Sequence, residues 1–215
     1  MAMKKENSTR SMILSLIKRH RERTVSELAK ELNITEMAVR RHLQSLEQDR
    51  LIEARIEKRS MGRPSYKFFL TDEGEESFPR NYGGLSVEFL KDIEAINGNE
   101  MVEELFEKRR ERLEAKYNQL VTGSFEERIE ALAKIQDDNG YMVEWGQKDT
   151  DTFTFIEYNC PIAKVAKDYH VACSCEKKLF QTLLGTEDIV RDTCAAKENA
   201  TACQYTIKKP KKLVK

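Results

Sequence analysis

The chain has 215 residues, enough for two ordinary domains. Its 37 Lys+Arg balance its 37 Asp+Glu, which excludes a basic coat over the whole chain. The balance is uneven, however: the first seventy residues hold 16 Lys+Arg against 9 Asp+Glu, so a head of +7 precedes a body of −7. That asymmetry points to nucleic acid at the head only. No apolar run approaches the roughly 18 residues of a membrane span. The opening MAMKKENSTRS has no apolar stretch like that of a signal peptide. The expectation is a cytoplasmic chain with no membrane partner.

Residues 1–8 read as a frayed or disordered end. From Thr9 to about His20, Met12, Ile13, Leu16 and Ile17 recur at helical steps. Thr24 with Glu27 three residues later is a capping box, so a helix should begin at Val25 and bury Val25, Leu28 and Leu32. Asn33 tolerates the left-handed turn that ends it, and Ile34 fills the corner. Thr35 caps a second helix to about Gln48, with Ala38, Val39, Leu43 and Leu46 as its buried stripe. Glu36, Met37, Arg40, Arg41 and Gln44 are left facing outward. Guanidinium groups suit guanine edges or phosphates and an amide suits adenine, so Thr35, Glu36, Met37, Arg40, Arg41 and Gln44 are the candidate DNA contacts. Leu51 to Arg59 reads as a strand with Ile52, Ala54 and Ile56 inward. Ser60 to Pro64 is a turn with Arg63 at its tip, placed for phosphate or minor groove, and Tyr66 to Leu70 returns.

This block, with the run A-V-R-R-H-L-Q-S-L and then G-R-P-S-Y, resembles the winged helix-turn-helix domains of bacterial and archaeal regulators. The resemblance implies double-stranded operator DNA as partner. His20 and His42 have no partner spacing and read as surface or DNA-backbone positions.

Beyond the wing, Leu70 to Pro79 makes a short helical turn, and Asn81-Tyr82-Gly83-Gly84 is a hinge candidate. Leu85 to Asn97 is a helix with Leu85, Phe89, Leu90 and Ile93 on one face. Gly98-Asn99 interrupts it, and Glu100 to Leu120 forms the longest charged helix. Its Phe106, Leu113 and Leu120 are spaced like heptad positions, although Arg109 and Arg110 break a strict coiled coil. A two-fold homodimer seam is the preferred reading of these helices, with packing inside one chain as the alternative. Ser124 and Glu127 form a second capping box, opening a helix that buries Ile129, Leu132, Ala133 and Ile135 and ends near Gly140.

The texture then changes. Tyr141 to Trp145 and Thr152 to Tyr158 read as strands, Ile162 to Asp168 and about Ser174 to Leu184 as helices. Ile189 to Asp192 and Ala202 to Ile207 close as two more strands before a basic tail. The expected fold is α+β. A winged helix-turn-helix occupies 1–80, helices fill 85–139, a small α/β cysteine-rich domain fills 140–208, and 209–215 is a solvated tail.

All five cysteines lie beyond residue 159: Cys160, Cys173, Cys175, Cys194 and Cys203. In a reducing compartment such a cluster reads as ligands or redox groups before structural disulfides. Cys173 and Cys175 sit at or before a helix start, where the dipole lowers a thiol's pKa. Gathered thiolates suit an iron–sulfur cluster or zinc, though the spacing is no CxxC pair.

Asn159-Cys160-Pro161, the twelve residues before Cys173, then Glu176, Leu183-Leu184-Gly185 and Cys203-Gln204-Tyr205-Thr206-Ile207 resemble the SufR family, repressors of the Suf iron–sulfur assembly operon. The resemblance implies a repressor that senses a cysteine-bound iron–sulfur cluster, with Cys160, Cys173 and Cys203 carried over directly. The family's third cysteine position falls at Glu187, which is no thiol; Cys194 is the substitute, ahead of Glu187 and His170. Three other readings stand beside it: a zinc or thiol-redox domain, an unmetallated ligand- or protein-interaction module, and an enzyme using Cys160 or Cys173 as nucleophile. No histidine stands at a partner spacing for the last, so the expectation is a regulator and not an enzyme.

Overall fold

Ser8 opens the front unit: its hydroxyl accepts from the Ser11 amide and caps α1 (Thr9–His20), whose buried residues are Ile13 and Ile17. The computed structural model describes residues 8–57, 65–198 and 200–210. The chain divides into two units, Met1–Arg80 and Asn81–Lys215.

In the front unit a two-residue strand, β1 (Arg23–Thr24), precedes α2 (Val25–Leu32), and Thr24 and Glu27 make the reciprocal capping box. Asn33 turns the chain at φ 53°, its amide donating to the carbonyls of Ala29 and Lys30. The Thr35 hydroxyl then accepts from the Ala38 amide at 3.2 Å and starts α3 (Glu36–Gln48). Val39, Leu43 and Leu46 are fully buried. Each contributes roughly 1.5–3 kcal/mol, whereas an exposed i,i+4 ion pair such as Glu36–Arg40 is worth about 0.3–0.5. The apolar stripe, not the charges, therefore holds α3 in place, and Arg40 can exchange its partner at little cost.

β2 (Ile52–Glu57) and β3 (Ser65–Leu70) pair antiparallel in the sheet order β1-β3-β2. Ile52 and Phe68 enter the head's core, but Ala54 and Ile56 do not turn inward as expected: both are exposed. α1 packs on β3, and Ile56 lies opposite the equally exposed Tyr66, one pair from the end of the ladder at Glu57 and Ser65. The turn tip with Arg63, the first seven residues and residues 211–215 of the tail lie outside the described residues. The short helix α4 (Asp72–Glu76) is capped by Thr71. Its Gly74 admits no side chain, since a Cβ there would stand 2.0 Å from the Leu51 carbonyl oxygen.

In the rear unit α5 runs from Tyr82 to Asn97, so three residues of the expected hinge, Tyr82-Gly83-Gly84, form its first turn. Gly98, at φ +85°, separates it from α6 (Asn99–Tyr117). α7 (Phe125–Asp138) starts at the Ser124–Glu127 capping box. The strands β4 (Val143–Gln147), β5 (Thr152–Glu157), β6 (Ile189–Thr193) and β7 (Cys203–Lys208) form one antiparallel sheet in the order β4-β5-β7-β6. Two further helices, α8 (Ala163–Asp168) and α9 (Val171–Leu184), connect β5 to β6. One turn, α10 (Ala195–Glu198), follows β6.

Phe155, Phe180 and Tyr205 meet with ring centroids 5.4–6.3 Å apart, locking α9 to the sheet. Val102 and Phe106 of α6 and Ile129 and Leu132 of α7 join the same apolar cluster. The expected helical region 85–139 is thus no separate domain: its helices close the core of the sheet that carries the cysteines. The sequence boundary drawn near 140 marks only a change from helix to strand.

Candidate nucleic-acid interface and thiol centre

On the head, burial of one α3 stripe leaves Thr35, Glu36, Met37, Arg40, Arg41 and Gln44 exposed together. Met37 is 76% exposed, far more than its packing value would allow in a core. Beside Arg40 an open hollow of about 350 Å³ is lined by Thr24, Ser26, Glu36, Ser65 and Tyr66. It brings the first turn of α2, a guanidinium and a phenol to one surface, groups that bind phosphate oxygens. The base of the hairpin is tied down by Glu22, which accepts from Lys67 at 2.7 Å and also bonds Arg55. Lys67, then burial and Arg55, decide its pKa, and the two cations hold it below the usual carboxylate range.

In the rear unit four thiols converge from separate segments. Cys160 lies in the loop between β5 and α8, Cys173 on α9, Cys194 just after β6 and Cys203 at the start of β7. Cys173 and Cys194 are hydrogen-bonding neighbours. The Cys203 sulfur accepts from the Ala195 amide at 3.4 Å and is within electrostatic reach of both Cys194 and Cys160. Cys175 turns away, donating to Glu107 of α6 at 3.6 Å. His170 and Glu187, the alternative donors, are exposed.

The thiols share their interior with two carboxylates that the sequence reading did not assemble. Glu157 is 2% exposed and stands opposite Cys203 in the β5–β7 register; Glu176 follows Cys173 by three residues on α9. Gln136 donates to Glu157 at 2.9 Å, and the Tyr205 hydroxyl donates to Glu176 at 3.4 Å. Arg191 of β6 donates to the Cys173 carbonyl at 2.5 Å and to the Tyr205 hydroxyl at 2.9 Å. Its guanidinium lies 5.0 Å over the Tyr205 ring, while its Nε is buried with no hydrogen-bond partner. A cavity of about 150 Å³, lined by Arg109, Tyr117, Gln136, Tyr141, Ile162 and Glu176 among others, adjoins the carboxylate.

Burial, then the charge of Glu176, pushes the Cys160 thiol up to about 12. Burial and Cys194 push Cys173 up to about 12, and burial pushes Cys203 up to about 11. The helix-start expectation for Cys173 and Cys175 is therefore corrected. α9 begins at Val171, so both thiols lie inside it, and loss of solvent outweighs the dipole. Glu157 is raised by burial and then by Glu176, and Glu176 is raised by burial. One signal for Glu157 was available: it ends the run Phe153, Phe155, Glu157 on the buried face of an alternating strand. Arg191 gave none, because its role depends on how α9 packs over β6 and β7.

Residues 7–54 match the family described as "Bacterial regulatory protein, arsR family", a span from the first helix through the start of β2. The matched span is thus a helix-turn-helix regulator domain of that type, the kind of domain that binds DNA. Similarity to solved structures includes a transcriptional regulator homologue from Pyrococcus horikoshii OT3. It is 24% identical, with TM-score 0.30, covering 44% of this chain and 87% of that one. It also includes Bacillus subtilis PadR in complex with operator DNA, 12% identical, with TM-score 0.29, covering 82% of this chain and 97% of that one. No curated protein matches the chain. Among the described residues, no helix is long and apolar enough to cross a membrane.

Proposed function

We propose that this regulator is a SufR-like homodimeric repressor whose rear unit holds an iron–sulfur cluster on Cys160, Cys173, Cys194 and Cys203. The observation that carries the reading is the convergence of four thiols from four segments on one interior site. The donor set supports it in two further ways. Arg191 leaves a buried N–H without an acceptor, a loss of about 1–3 kcal/mol that a nearby anionic group would relieve. Cys173 neighbours Cys194, Cys194 neighbours Cys203, and Cys203 neighbours Cys160, so the four form a connected series of donors. Among the described residues no three donors already stand around one point, so uptake draws them together.

Bound there, a cluster supplies electron transfer and a link between segments that oxidation can break. The chain's part is to release protons from three thiols that burial keeps protonated, so uptake rises with pH. It also joins α9 to the ends of β5, β6 and β7. Because α6 packs against α9, order at the thiols extends to the helices that we assign to the dimer. A ligand biases DNA binding only through its different affinity for two arrangements.

The dimer face we favour lies on α5. Tyr82 (63% exposed), Leu85 (46%), Phe89 (57%) and Ile96 (79%) recur at steps of three, four and seven residues, a stripe left uncovered by the described residues of its own unit. On DNA, Arg40, Arg41 and Gln44 read base edges, Met37 makes apolar contact with Thr35 and Glu36 beside them, and Arg63 is assigned to phosphate or minor groove.

Anaerobic purification followed by visible absorption and iron and sulfide assays tests the cofactor. We expect coloured protein containing both elements, and colourless Cys160→Ala and Cys203→Ala variants. Colourless wild type free of iron contradicts the reading. The bonded Cys173–Cys194 pair favours one other reading, a peroxide-driven disulfide switch; loss of two thiols on oxidation of an iron-free protein would identify it.

A further inference from the structure

Arg191 is half-buried, and its Nε lies out of reach of solvent. Its side chain is held on three sides: by the Cys173 carbonyl at 2.5 Å, by the Tyr205 hydroxyl at 2.9 Å, and by the Tyr205 ring at 5.0 Å. None of these is an ion pair, and among the described residues Arg191 makes no salt bridge with any carboxylate. Two buried acids, Glu157 and Glu176, lie within its electrostatic reach; burial favours their neutral forms and the charge of Arg191 opposes this. A guanidinium stays charged in any protein environment. The site thus holds a fixed cation, aimed by two hydrogen bonds, whose Nε–H has no acceptor. The groups it faces from every side are the Cys173 and Cys203 thiols, Tyr205 and the two glutamates.

We propose that Arg191 is the resident counter-cation of the thiol centre, a positioning residue whose charge stabilises the anionic, metal-loaded thiolates and raises the reduction potential of what they hold. The inference rests on the iron–sulfur reading above. Four thiolates bring more negative charge than the iron they bind offsets, and a buried charge of that sign needs a fixed partner. Reduction adds one electron and breaks no bond, so it increases the negative charge beside Arg191. Coulomb attraction at low effective dielectric then favours the reduced form.

The test is the midpoint potential of the full-length, cluster-loaded protein under argon, with dithionite as one-electron donor and the visible band as readout. Arg191→Gln removes the charge; Arg191→Lys keeps it and loses the fork. Loss of charge should make reduction at least tenfold less favourable, which is 59 mV for one electron. The Lys variant should stay within half of that shift. If Gln fails to take up the cluster while Lys loads, the inference is equally supported. Equal potentials in wild type and both variants overturn it. So does an equal shift in both, which would report lost packing and not lost charge. Failure of both to load, with the thermal melt of the metal-free protein unchanged, also overturns it. Iron-free wild type would instead remove the cofactor reading, and this inference with it, before either variant is made.

Discussion

Glu157 is the residue whose placement is hardest to reconcile with stability alone. A carboxylate 2% exposed, bonded to a neutral amide and facing a second buried acid, is destabilising once ionised. Its folded pKa lies above the unfolded value. The stability it contributes is therefore fully present below the unfolded value of about 4.5 and is lost as pH rises through the folded one. Glu157→Gln keeps an acceptor for Gln136 and removes that loss. The metal-free variant should be more stable than wild type at neutral pH. Its stability should also fall less with pH, as chemical denaturation across the acid-to-neutral range would show. A less stable variant would mean that the ionised carboxylate has a partner in the metal-free protein. At this scale the thiols were legible in the sequence because five cysteines crowd one end of the chain. The setting apart of Cys175 has a long-range cause, its hydrogen bond to Glu107, visible once α6 is in place.

The helices were the most legible elements, and for a local reason. Capping boxes at Thr24 and Ser124, and the Asn33 turn, are written within four residues of chain. Thr24→Ala removes the acceptor for the Glu27 amide and should cost about 1 kcal/mol of head stability, read from the shift in its thermal transition. Facing is a longer-range property and was read less well. Of the stripe expected through Leu85, Phe89, Leu90 and Ile93, Leu90 and Ile93 pack against the core beside Val87, whereas Leu85 and Phe89 face solvent. Nothing within the helix says which neighbours will cover it. The same limit explains Ala54 and Ile56, whose alternation is that of a half-buried strand although the sheet has only partial cover. If the α5 stripe is the seam, Phe89→Asp should convert a dimer to a monomer in sedimentation equilibrium without lowering iron content. An unchanged mass for the variant would place the seam elsewhere.

Across the whole molecule, charge and chemistry are divided between two units. The first seventy residues carry +7 and the remainder −7, so phosphate attraction belongs to the head. Duplex affinity should fall steeply as salt rises. Arg40→Ala together with Arg41→Ala should weaken binding, each lost base contact costing about 1–3 kcal/mol, as fluorescence anisotropy on a labelled duplex would report. Two units could be anticipated from that division; the merging of the helices with the cysteine domain could not, because it is set by contacts such as Phe106 with the sheet core.

The central claim joins the units: thiols at the rear govern the grip at the front. The most direct measurement is the affinity of the full-length protein for an operator duplex selected from a random pool, taken anaerobically before and after the cluster is removed. A change of tenfold or more, absent in Cys160→Ala and Cys203→Ala, is the result expected. Equal affinity in both states, with iron and sulfide confirmed in the first, would contradict it.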